Sequence, residues 1–173
     1  MKKAKTIIAL AFIASMGDGA AAAANDMARV RLADANGNEV GELELWPTPH
    51  GVLITGRVFG VPPGPHAFHI HEVGKCEPPF ESAGGHFNPT KAAHGFLTGR
   101  GMHAGDLPNL HVPESGKLEF EMLATRVTLA ASPANSLFDT DGSAFIIHAA
   151  ADDYRSDPAG ESGGRIACGT VGR

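Results

Sequence analysis

The 173-residue sequence predicts an all-β domain, a sandwich or barrel of short strands. Three observations carry this. Apolar residues recur at every second position in several short runs, turns rich in Gly and Pro separate those runs, and no long segment has helical period. "MARVRLAD" (27–34) alternates imperfectly and is followed by Asn36-Gly37, a hairpin dipeptide. "VGELELW" (40–46) alternates cleanly, with Leu43 and Leu45 set between Glu42, Glu44 and Trp46. "VLITGRVF" (52–59) is the next strand, and "VPPGP" (61–65) ends it because proline has no N–H for a ladder. In "HAFHIHE" (66–72), Phe68 and Ile70 point to one face of a strand and His69 and His71 to the other. "KLEFEML" (117–123) sets Leu118, Phe120 and Met122 against Lys117, Glu119 and Glu121, and "AFIIHAA" (144–150) and "RIACGTV" (165–171) complete the set.

Two stretches lie outside that pattern. From Val73 to His111 there is no periodicity, only Gly, Pro, Lys and scattered His. So long an irregular stretch needs something besides secondary structure to order it. "ADDYRSDPAGESGG" (151–164) is shorter and joins the His148 strand to the Cys168 strand.

Lys2, Lys3 and Lys5, the apolar run "TIIALAFIASM" (6–16) and the small residues of "GDGAAAAAND" have the order of a secretory signal peptide. The apolar run is shorter than the about 20 residues that span a bilayer. Cleavage is expected after Ala24, leaving residues 25–173 as one domain. Removal of three Lys and one Asp takes the formal charge from -5 to -7. No basic run and no later apolar span remain, which argues against nucleic acid and membrane as partners. Export makes a bond between Cys76 and Cys168, the only two cysteines, the simplest expectation.

Nine histidines are present, and six sit in contexts that suit a metal: His69, His71, His86, His94, His103 and His148, with Asp106 three residues after His103. Histidine and carboxylate suit zinc, and an all-imidazole set suits copper as well as zinc. Two four-coordinate ions need eight donor atoms, and seven side chains are on offer. One imidazole using both nitrogens, with His86 the natural candidate, would close the deficit. Water in the eighth place, or two separate sites, would also satisfy the count. The competing reading of His69 and His71 is that they face solvent on an ordinary half-buried strand. His66, His50 and His111 read as structural or surface residues.

Taken together, "HAFHIHE", "CEPPFESAGGHFNP", "MHAGDLPNLHV", "FIIHAAADDY" and "GGRIACG" resemble copper/zinc superoxide dismutase of the exported bacterial type over nearly the whole mature chain. The resemblance implies a flattened eight-stranded Greek-key β-barrel, an immunoglobulin-like sandwich with two long functional loops. It implies copper on His69, His71, His86 and His148, and zinc on His86, His94, His103 and Asp106, with His86 shared. Asp152 matches the carboxylate that links a copper ligand to a zinc ligand. Arg165 matches the arginine that draws the anion to copper, and Cys76 and Cys168 match the family's disulfide. The implied activity is dismutation of superoxide in the periplasm, through copper that is reduced and reoxidised, with His86 delivering a proton. Lys75 and Arg155 are further candidates for steering the substrate, and a homodimer is one of the assembly states found among bacterial relatives. Two other functions compete with this one. A non-enzymatic copper carrier of the same fold would need neither a shared ring nor an anion guide. A zinc hydrolase would need an open position on its metal.

Overall fold

The structure is a computed structural model that describes residues 27–131 and 133–172. The expected signal peptide, residues 1–24, lies outside the described residues. Nine strands run in chain order: β1 (Ala28–Asp34), β2 (Glu39–Thr48), β3 (Gly51–Phe59), β4 (Gly64–His66), β5 (Phe68–His71), β6 (Leu110–Val112), β7 (Lys117–Ala124), β8 (Ala144–His148) and β9 (Arg165–Thr170). A single 3-10 turn, Glu81–Ala83, is the only other regular element among the described residues. No helix there is long and apolar enough to cross a membrane.

Seven strands form one antiparallel sheet in the order β5-β8-β9-β1-β2-β3-β7, and β4 pairs with β6 in a small ribbon. The sheet curls on itself. Phe68 on β5 and Phe120 on β7 belong to opposite edge strands, yet their ring centroids are 5.7 Å apart, edge to face. Alternation explains the closure. Val30 and Leu32, Leu43 and Leu45, Val52 and Ile54, Phe68 and Ile70, and Phe145 and Ile147 all turn inward into one buried core. The β1–β2 hairpin is closed by a turn in which Asp34 accepts the N–H groups of Asn36 and Asn38 and Gly37 supplies the positive φ, +84°.

The strand expected over 66–72 is broken. Ala67 separates β4 from β5, and the two halves enter different sheets. The Ala67 N–H bonds the Ala150 carbonyl, and its own carbonyl takes the His148 N–H. The stretch without periodicity also ends sooner than expected, because Leu110–Val112 forms β6. Three residues are too few to show a period of two.

A smaller apolar cluster lies on the outer side of the barrel wall: Phe80, Ala83, Ala144, Ile146 and Cys168. Cys168 on β9 is bonded to Cys76, with Cα atoms 5.6 Å apart and a sequence separation of 92. This anchors the start of the long loop to the wall. In the loop-entropy model such a closure destabilises the unfolded chain by at most roughly 4 to 5 kcal/mol.

Leu45 is fully buried on β2, between Ala28 and Ile54. Leu45→Ala should lower the unfolding free energy by about 2–5 kcal/mol, through lost transfer energy and the cavity left behind. A urea titration should show a lower midpoint with an unchanged slope.

Candidate metal centre

Phe68 and Ile70 enter the core, so His69 and His71 must leave by the outer face of β5. His148 leaves by the same face of β8, where His69 pairs with Ile146 and His71 with Ala144. None of the three meets solvent: all are 3 % exposed or less. The solvent-facing reading of these histidines is therefore overturned, because the long loop folds back over them.

That loop is held by backbone bonds to β5. Phe87 N–H donates to the Ile70 carbonyl, Ile70 N–H to Gly105 and Gly105 N–H to Phe87, at 2.8 to 2.9 Å. Bridges then set His86 beside His71 and Asp106 beside His69. Gly105 is required here, since a Cβ would stand 2.2 Å from the Ile70 carbonyl oxygen. The edge strand β5 is thus covered, and the same contacts bring two loop segments over its histidines.

The donor atoms fall into two sets. In the first, His69, His71, His86 and His148 offer ring nitrogens that all lie within 4.8 Å of one another. Five buried side-chain polar atoms lack a partner among the described residues, and four of them are His69 Nδ1, His71 Nε2, His86 Nε2 and His148 Nε2. The opposite nitrogen of each ring is engaged. His69 Nε2 meets Asp152 Oδ2 at 2.9 Å, His71 Nδ1 meets the Gly84 carbonyl at 3.0 Å, and His148 Nδ1 meets the Ser162 hydroxyl at 3.1 Å. Such partners fix the tautomer and leave the free lone pair pointing inward.

Burial, in the first place, and the neighbouring rings hold these imidazoles neutral. His148 is pushed down to about 3 by burial and then by His69. Burial lowers His86 to about 4 against the opposing pull of Asp106, and it lowers His69 and His71 as well. Neutral rings are the form that binds a metal.

In the second set, His86 Nδ1, His94 Nδ1 and His103 Nδ1 converge on Asp106 Oδ1 at 2.9, 3.0 and 3.2 Å. His86 Nδ1 and His103 Nδ1 are 3.3 Å apart. A tetrahedral zinc with bonds of about 2.0–2.1 Å requires donors roughly 3.3 Å apart, so the set fits that ion with small outward shifts. Four protein donors close the tetrahedron. No open position remains for a catalytic water, which removes the hydrolase reading. Asp106 Oδ2 accepts the Gly95 and His103 N–H groups, each at 3.0 Å. Burial opposes its charge, but the three imidazoles and then the Gly95 N–H outweigh it and hold the carboxylate well below the usual range.

Asp152 joins the two sets. Its Oδ2 meets His69 Nε2 and its Oδ1 meets His94 Nε2, both at 2.9 Å, with the carboxylate fully buried. Burial opposes the charge of His94, but the bonds to Asp106 and Asp152 outweigh it, and His94 is raised to about 9. Gly160 backs the carboxylate so closely that a Cβ would sit 1.8 Å from Asp152 Oδ1.

Arg165 lies at the start of β9, opposite His148. Strict alternation from Ala167, which faces the core, would turn Arg165 inward too. A register shift prevents this: Ile147 pairs with Ala167, but the next residue, His148, pairs with Arg165. Residues paired across strands share a face, so the bulge turns Arg165 outward beside His148. Its guanidinium donates to the Phe80 carbonyl at 2.5 Å and the Gly84 carbonyl at 2.7 Å, with Glu81 Oε2 3.7 Å away. Gly84 therefore serves both His71 and Arg165. Lys75 is exposed, and Arg155 reaches for the Leu97 carbonyl at 3.4 Å. His66 is buried, with Nδ1 on the His148 carbonyl and Nε2 on the Pro62 carbonyl, both at 2.8 Å.

Several participants carry no sequence signal. Gly84 acts through its carbonyl, Gly160 through close approach, and Asn109, Tyr154 and Ser162 through side-chain hydrogen bonds to segments distant in sequence. No residue type or spacing marks such roles.

A β-barrel whose wall carries two adjoining donor sets meeting at one imidazole is the framework of a two-metal protein. The family model for copper/zinc superoxide dismutase matches residues 39–171. Copper–zinc superoxide dismutase 1 of Aquifex aeolicus is 49 % identical over 142 residues, which is 81 % of this chain and 84 % of that one. The crystal structure of a superoxide-dismutase-like protein from Bacillus subtilis superimposes with a TM-score of 0.79 at 44 % identity, covering 82 % of this chain and 96 % of that one. The Cu/Zn superoxide dismutase from Brucella abortus does so at 0.69 and 27 %, covering 84 % and 99 %. The chain belongs to the copper/zinc superoxide dismutase family.

Because one carboxylate orients a ring in each set, Asp152→Ala should weaken metal retention at both, by roughly 10- to 100-fold. Chelator competition with zinc and with copper, measured separately, checks this. Loss at one set alone would show that the two are independent.

Proposed function

We propose that this protein is a superoxide dismutase: it converts superoxide to oxygen and hydrogen peroxide. The observation that carries the reading is the convergence of four buried, unpartnered imidazole nitrogens beside a zinc-shaped set that shares one of their rings. His69, His71, His86 and His148 would hold copper, and His86, His94, His103 and Asp106 would hold zinc. Copper, when bound, supplies the one-electron chemistry: one superoxide loses an electron and leaves as oxygen, and the next gains it and leaves with two protons as hydrogen peroxide.

The chain's own residues do the rest. Four side chains close the zinc set and keep its geometry fixed. Arg165, tethered to Phe80 and Gly84 and 14 % exposed, presents positive charge next to His148. It is the group that attracts and seats the anion, since the chain as a whole is acidic and would repel one. His86 keeps Nδ1 within the zinc set, so its buried Nε2 is the atom able to hold a proton and deliver it to the second substrate. Residues 1–24 would direct the chain to the periplasm, an oxidising compartment that suits the Cys76–Cys168 bond.

Two outcomes are expected. His148→Ala should abolish dismutation while one zinc per chain is retained. Metal analysis beside a superoxide-consumption assay decides it, and wild-type activity in that variant would overturn the assignment. Arg165→Ala should lower kcat/KM by roughly 10-fold and flatten its decline with ionic strength, as measured by pulse radiolysis over a salt series.

A further inference from the structure

We infer that Tyr154 and Asn109 are positioning residues that act together as a clasp on Asp152 and so set the geometry of both metal sites. The inference rests on the metal assignment proposed above and adds the residues that control its linking carboxylate.

Asp152 lies in an irregular stretch, where no strand pairing fixes its backbone. Asn109 takes over that role. Its Oδ1 accepts the Asp152 N–H at 2.8 Å and its Nδ2 donates to the Asp152 carbonyl at 2.9 Å, so one side-chain amide satisfies both backbone groups as a neighbouring strand would. Asn109 is itself three residues from Asp106, in the segment that leads into β6.

Tyr154 closes the other side. Its hydroxyl accepts the Asn109 backbone N–H at 2.7 Å, and its own N–H donates to Asp152 Oδ1 at 2.6 Å, the oxygen that also meets His94. Its carbonyl accepts the Leu97 N–H at 3.1 Å, and its ring lies 5.1 Å from Phe96. The residue holds a left-handed backbone, φ 60°, which side chains other than Gly seldom adopt without compensating contacts. One tyrosine thus ties together the segment after His94, the segment after Asp106 and the carboxylate that links His69 to His94. Three loop pieces that share no secondary structure are brought to one place, and Asp152 is the acidic group they surround.

The test uses full-length protein, with Co2+ as the probe at the zinc set. Tyr154→Phe keeps the ring and the backbone N–H and removes only the hydroxyl. It should weaken Co2+ retention roughly 3- to 10-fold, a part of the 10- to 100-fold expected when the hydrogen-bond partner of a ligand is itself removed. The visible absorption of bound Co2+ should change with it, as should the Cu2+ electron paramagnetic resonance spectrum. Asn109→Ala should do the same. In an Asp152→Ala background, Tyr154→Phe should cost nothing further, because the clasp acts through that carboxylate. If Tyr154→Phe and Asn109→Ala leave affinity and both spectra unchanged while Asp152→Ala alters them, the clasp is wrong and the metal assignment stands. An equal penalty from Tyr154→Phe with and without Asp152 would also overturn it, by showing a general effect on the loop. If Asp152→Ala itself changes nothing, the carboxylate sets neither site and the clasp is wrong, whereas failure of the unaltered protein to retain Co2+ and Cu2+ is the result that would sink the metal assignment.

Discussion

Six imidazoles and two carboxylates are packed into one buried cluster, and the protein's other features can be understood from what that cluster costs. Four ring nitrogens point at one another with no hydrogen-bond partner. At about 1–3 kcal/mol for each unsatisfied buried polar group, the penalty is of order 4–12 kcal/mol, as large as the whole stability of an ordinary domain. An arrangement so unfavourable without a cation persists only where the surroundings determine it. A bound metal removes the penalty and adds its own binding energy to folding.

The surroundings here are a rigid wall and two covering loops. β5 and β8 project His69, His71 and His148 from one face because their alternate residues are committed to the core. Apart from the 3-10 turn Glu81–Ala83, the loops lack regular structure of their own and are ordered by attachment. Cys76 is bonded to β9, Phe87 and Gly105 are paired with Ile70, and Asn109 grips the backbone of Asp152. A site built on strands gains precision, and the loops then need only to deliver His86, His94, His103 and Asp106 to a place the wall already defines.

Charge is distributed in keeping with an anionic substrate. Glu42 and Glu44 of β2 and Glu119 and Glu121 of β7 occupy one outer face with Arg57 of β3 among them, 2.9 Å from Glu42. The histidines lie on the outside of the opposite wall, formed by β5, β8 and β9. The chain carries net negative charge, and the Asp152 and Asp106 carboxylates beside the first donor set are fully or almost fully buried behind its rings, so the positive group at its outer side is Arg165, 14 % exposed and anchored by two carbonyls. A small anion approaching that wall therefore meets a local field opposite in sign to the protein's total.

Much of this was determined by the sequence alone. Period-two alternation marked most of the strands, and the motifs around His69, His86, Asp106, His148 and Arg165 identified the donors and the family they resemble. These signals are local: side-chain polarity repeats along a strand, and a metal dictates its ligand types. The tertiary structure alone decided whether His69 and His71 faced water or a buried cluster, because alternation specifies a face without saying what covers it. It likewise decided the break at Ala67, the short ribbon of β4 and β6, the bulge that turns Arg165 to the same side as His148, and the grip of Asn109 and Tyr154 on Asp152. Each of these depends on pairing between segments far apart in the chain, and such pairing leaves no pattern in the residues on either side.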